Sequence, residues 1–112
     1  MNLLDQIKLS PESIAFSEVI AFIDSNYDFT PTRFTNGNTV NEAGQNNGSC
    51  KIFSFAILQK LTQEQTLALF GEYYRSDVLG NPEGTDHQNI RNFMQSGWEG
   101  IMFEGEGLIK KH

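Results

Sequence analysis

The only cysteine of the chain, Cys50, follows Asn46-Asn47-Gly48-Ser49 and precedes an apolar run from Ile52 to Leu61. That order lets Ser49 cap a helix start and leaves the thiol in the first turn, facing free backbone N–H groups and the positive end of a helix dipole. A thiol so placed ionises more readily than usual and is a candidate nucleophile. It needs a base, and the chain has two histidines, His87 and the terminal His112. His87 is the better placed, because it precedes Ile90 and Met94 at helical spacing and sits in the first turn of its own helix. The positive helix end there favours a neutral ring able to accept a proton. With Asp86, Asn89 or Glu42 as the orienting group, the set describes a cysteine-dependent hydrolase or transferase.

Each of these residues also has a structural reading. A lone cysteine in the first turn of an apolar helix is more often a small buried hydrophobe. An inward-facing histidine at a helix start is more often a cap or a core hydrogen-bonder. Gly48-Ser49-Cys50 matches the core of one cysteine-protease signature, but that signature wants an aromatic next, where Lys51 stands. It also places its histidine about 130 residues downstream, whereas His87 follows closely.

A second chemistry needs no covalent step. The loop from Asn41 to Ser49 feeds a helix start, and an anion can be held by the free N–H groups near Ser49 and Cys50, with Lys51 or Arg75 adding charge. The ligand-binding candidates are Asn41, Glu42, Ser49, Lys51, Arg75 and Asn89. Tyr73-Tyr74-Arg75-Ser76-Asp77 is an unusual cluster; Tyr74 packs, and Arg75 and Asp77 suit an ion pair with each other, with glutamates or with the polar loop. Asp24, Asp28, Asp77 and Asp86 are not spaced like a glycosidase pair or a metal loop. One cysteine and two histidines at no ligand spacing imply no metal, and no cofactor is expected. Gly44 to Lys51 lacks the spacing and residue order of a nucleotide-phosphate loop.

The elements that must position these groups fit one domain over residues 1–112, since no composition shift marks a second. An apolar fraction of 38% with nine Phe, three Tyr and one Trp is that of a folded globule. The formal charge of −6 is spread along the chain, and the one basic cluster is Lys110-Lys111-His112. With no basic stripe, neither nucleic acid nor an anionic membrane is an expected partner. A single cysteine forms no internal disulfide, no run approaches a membrane span, and Met1 to Leu9 is no cleaved signal. A soluble, cytoplasmic chain, monomeric or weakly oligomeric, is expected.

Ser10 and Pro11 open a helix over about residues 11–26, with Phe16, Val19, Ile20 and Ile23 on one face. Asn36-Gly37 joins Thr32–Thr35 to Asn38–Val40 as a hairpin. Lys51 to Leu61 is apolar on nearly every side and is the central helix. Thr62 to Gln65 repeats a capping pattern and opens a third helix to about Leu79. A fourth starts at Thr85–Gln88 and stops at Gly97. Trp98 to Phe103 reads as a strand, with Gly105 to Ile109 turning back as another. The fold class is α+β, mainly helical: about four helices, one of them central and apolar, with a small antiparallel sheet.

The ordered motifs Asn41-Glu42-Ala43-Gly44, Asn46 to Lys51, Phe70-Gly71, Tyr73-Tyr74-Arg75, Asp77-Val78-Leu79, Asp86 to Arg91 and Gly97-Trp98 resemble the HopJ type III effector proteins. The likeness covers roughly residues 10–110. It implies a bacterial protein of a family with no established activity, so it assigns no catalytic residue. It also implies secretion by a type III system. The function expected is non-covalent binding of a protein partner or a small anionic ligand.

Overall fold

The side chain of Asn2 accepts from the Asp5 N–H at 2.9 Å and caps α1 (Leu3–Leu9), which buries Leu3 and Ile7. The computed structural model of the chain describes residues 2–111, so Met1 and His112 lie outside the described residues. Pro11–Ser13 forms a single 3₁₀ turn, and the helix expected from residue 11 begins only with α2 (Phe16–Asn26). Ser10 provides no side-chain cap, and Ile14 and Ala15 are extended. The cause is long-range. Ile14 is fully buried, Arg75 Nη2 donates to its carbonyl at 2.7 Å, and the Phe16 N–H donates to Glu72 Oε2 at 3.3 Å.

The chain passes from α2 straight into β1 (Tyr27–Phe29). The expected hairpin follows: β2 (Phe34–Asn36) pairs with β3 (Thr39–Asn41), with Gly37 at φ +61° in the turn. Next comes α3 (Asn47–Gln59), whose buried residues include Cys50, Ile52, Phe53, Phe55 and Ala56. Phe53 is the hub of the core, its ring 5.0–6.3 Å from those of Phe93, Phe70, Phe34 and Trp98. The burial is not all-round, since Ile57 and Leu58 in the last turn are about half exposed.

Thr62 and Gln65 form a reciprocal capping box at α4 (Gln63–Ala68), as the sequence pattern predicts. The helix does not run on to Leu79. Gly71, at φ +60°, breaks it, and a Cβ there would stand 2.6 Å from the Phe16 backbone nitrogen. Tyr73–Val78 then forms a π-helix. After a turn, α5 (Gln88–Ser96) ends at Gly97, φ +59°. Trp98 is not in a strand: Gly97–Gly100 is a 3₁₀ turn, and the indole N–H donates to the Leu61 carbonyl at 3.1 Å.

The last strands are β4 (Ile101–Phe103) and β5 (Leu108–Lys110). They do not pair with each other as a hairpin. β4 pairs antiparallel with β2, giving the order β3-β2-β4, while β5 pairs antiparallel with β1. Backbone bonds from Thr30 to Gly107 and from Glu104 to Arg33 bridge the two pieces. They make one bent ribbon, kinked at Gly105–Gly107, lying over the face of α3. The fold is α+β and mainly helical, with its small antiparallel sheet in two parts.

Candidate functional site

Asn46, not Ser49, is the residue at which α3 starts. Asn46 is left-handed at φ +52°, makes no side-chain cap, and its carbonyl accepts the Cys50 N–H at 3.0 Å. Cys50 is therefore the fourth helical residue, with its N–H already used. Its side chain is 1% exposed, and Sγ lies 3.6 Å from the Thr32 carbonyl oxygen. A Cβ on Gly107 would come within 3.6 Å of the same sulfur, so the kink of the ribbon closes over it. Burial pushes the thiol above its ordinary pKa, the opposite of an activated nucleophile.

The polar loop resolves into a buried asparagine network. Asn41 and Asn89 exchange side-chain bonds, Asn36 Nδ2 donates to the Asn89 side chain and carbonyl, and Asn46 Nδ2 donates to Asn41 Oδ1 at 2.6 Å. Asn92 adds bonds to the Asn36 carbonyl and to Thr39 Oγ1. The network ties the hairpin to the starts of α3 and α5. Asn36 Oδ1 is buried without a partner. Asn41 and Asn89 thus act from within the core, as supports.

Above this network lies a cleft of about 350 Å³. Asn46, Gly48 and Ser49 line it from the start of α3, and His87, Gln88 and Asn89 from the start of α5. Phe16, Phe70 and Tyr73 form an aromatic wall. A Cβ at Gly48 would meet Phe16 Cζ at 3.0 Å, so the glycine allows that wall to close on the helix. Cys50 is not among the lining residues, and the structure does not bring it together with His87.

His87 occupies the cap of α5, not its first turn, and is left-handed at φ +50° with no side-chain cap bond. Its ring lies against that of Tyr73, centroids 5.2 Å apart, and Nε2 is 3.1 Å from Asp77 Oδ2. The wider turn of the π-helix explains the pairing, because it aligns residues four apart more closely than an α-helix does. Tyr73 and Asp77 therefore meet one ring. The sequence offers these two only by their spacing, and nothing local announces that His87 joins them. The orienting carboxylate is Asp77, since Asp86 is 3.9 Å away and bonded to Arg91 at 2.6 Å. Arg91 holds the Asp86 carboxyl below the usual range.

The remaining candidates stand elsewhere. Glu42 pairs with Arg33, which also binds Glu104. Lys51 pairs with Asp24 at 2.8 Å and lies over the Phe29 ring. Among the described residues Arg75 makes neither an ion pair with Asp77 nor a hydrogen bond to the loop; it holds the Ile14 carbonyl, and its Nη1 is buried without a partner. Of the residues singled out from sequence, the cleft gathers Ser49, His87 and Asn89, with Asn41 behind them. Among the described residues, no helix is long and apolar enough to cross a membrane, and no group of three His, Cys, Asp or Glu side chains could hold a metal.

The solved crystal structure of the unknown function protein VPA0580 superposes with a TM-score of 0.96 at 59% identity, covering 99% of this chain and 95% of that one. No curated protein matches the chain. The model of the HopJ type III effector protein family matches residues 1–108. The chain belongs to the HopJ type III effector family.

Proposed function

We propose that this protein binds a small anionic ligand, without covalent chemistry, in the cleft between the starts of α3 and α5. One observation carries the reading: two helix N-termini, each entered through a left-handed residue and neither capped by its own side chain, open on the same cleft beside a histidine. The first N–H groups of a helix lack intrahelical acceptors and sit at the positive end of its dipole. The burial of Cys50 away from the cleft speaks for binding over thiol chemistry. Cytoplasmic residence and release through a type III system stand beside this as proposals carried by the family description alone.

Titration with phosphate, sulfate and small carboxylates, followed by calorimetry and thermal shift, tests the reading. A saturable response is expected, and it should be lost in Ser49→Phe, which fills the cleft, provided circular dichroism shows the variant folded. Absence of a saturable response across that panel would sink it.

A further inference from the structure

We infer that Asn47 is a site of self-modification, converted to aspartate or isoaspartate by attack of the Gly48 backbone nitrogen. The fold protects the second Asn-Gly pair of the chain, Asn36-Gly37, from the same reaction.

An asparagine followed by glycine is chemically labile, because a residue without a Cβ lets its nitrogen approach the preceding side chain. The reaction draws only on water. Gly48 N forms a bond to Asn47 Cγ, the bond from Cγ to Nδ2 breaks, and ammonia leaves with the proton of the Gly48 N–H. Water then opens the five-membered imide. Opening at the side-chain carbonyl gives aspartate, and opening at the backbone carbonyl gives isoaspartate.

The two pairs stand in opposite surroundings. Asn47 is exposed and is the first residue of α3, and its side chain has no hydrogen-bond partner among the described residues. Gly48 follows it, so its N–H has no intrahelical acceptor, and Asn46 makes no cap bond to it. Asn36, by contrast, is wholly buried, with Nδ2 donating to the Asn89 side chain and carbonyl. The Gly37 N–H donates to the Gly100 carbonyl at 3.0 Å. Attack at Asn36 therefore requires the asparagine network and the hairpin to open. Attack at Asn47 requires only the first turn of α3 to loosen, at the bond from the Cys50 N–H to the Asn46 carbonyl.

The product alters the surface. The new carboxylate arises between Asn46 and Gly48, both of which line the cleft. Isoaspartate also lengthens the backbone by one atom beside the Asn46–Asn41 bond. The mouth of the cleft thus grows more acidic as a chain ages, whatever the cleft binds.

The test holds the folded chain in mildly alkaline buffer at physiological temperature. Cleavage after Arg33, Glu42 and Lys51 puts the two asparagines on separate peptides. Mass spectrometry should show the one-dalton gain on the Asn47 peptide at least about tenfold faster than on the Asn36 peptide. In urea the two rates should converge. Asn47→Gln must close a larger ring and has no side-chain hydrogen bond to lose, so it should keep the fold by circular dichroism and lose the gain. Equal rates in the folded chain, a faster gain at Asn36, or no gain at Asn47 while the urea-unfolded chain is modified overturns the inference. A gain that persists on the same peptide in Asn47→Gln belongs to a neighbouring residue and overturns it too.

Discussion

Asn41 and Asn89 exchange two side-chain hydrogen bonds, 3.1 and 3.0 Å long, across 48 residues of chain. Each amide gives its N–H and receives on its oxygen, so the pair closes on itself beneath the cleft. Asn41 is wholly buried and Asn89 is 7% exposed. Because Asn46 donates into the same pair, the end of β3 and the starts of α3 and α5 are held as one unit. The separation of the two helix starts that line the cleft is thus set by amide groups beneath it.

Asn89→Ala should therefore be costly. It removes the acceptor of the Asn41 side-chain donor and of one Asn36 N–H, while Asn41 Oδ1 keeps its bond from Asn46 and Asn36 keeps its bond to the residue-89 carbonyl. A loss of about 2–4 kcal/mol in urea unfolding is expected, with the slope of the transition unchanged. A loss below about 0.5 kcal/mol would mean that water reaches the site and that the network is not what joins the elements.

Gly71 and Gly44 both have positive φ, at +60° and +91°, but their surroundings differ. A Cβ on Gly71 would meet the Phe16 backbone nitrogen at 2.6 Å, whereas one on Gly44 meets nothing within 4 Å. Gly44→Ala should carry only conformational strain, about 1 kcal/mol. Gly71→Ala adds a clash with backbone that cannot rotate away and should exceed about 3 kcal/mol. Comparable melting temperatures for the two variants would show that the α4 break does not depend on close approach of the chain at Phe16.

Cys50 should be inert in the folded chain. Burial raises its thiol pKa, so the folded state disfavours the thiolate, and this preference favours folding increasingly less as pH climbs past the ordinary thiol range. At any one pH between about 6 and 8, iodoacetamide should modify it at least about 100-fold more slowly than in urea-unfolded chain. Fast labelling near pH 6 in the native state would contradict the placement of the sulfur under Gly107.

Several local patterns in the sequence reappear in the fold. The apolar run of α3, the Asn36-Gly37 turn, the Thr62–Gln65 capping box and the Gly97 stop each depend on residues within a few positions of one another. What escaped depends on partners far along the chain. Ser10 and Pro11 look like the start of α2, but Arg75 and Glu72 hold Ile14 and Phe16 in a way that moves the start onward. Ser49 looks like a cap, yet Asn46 is pulled into the left-handed cap position while its amide bonds Asn41. Arg75 reads as a ligand or ion-pair residue because its carbonyl partner is 61 residues away. The location of the cleft at the start of α3 was legible; that its second half is the start of α5, with Tyr73 and Asp77 at its lip, was not.

The bent ribbon has a consequence for the order in which the chain acquires its shape. Tyr27 finds its strand partner in Lys110, and Asn36 finds one of its two in Ile101. As the chain leaves the ribosome, every helix is complete before either strand arrives. Until then β1 is wholly unpaired and β2 has one open edge, the state in which unfinished sheets recruit foreign strands. The nascent chain is most exposed to aggregation, and most open to a holding chaperone, in the interval just before residues 101–110 emerge.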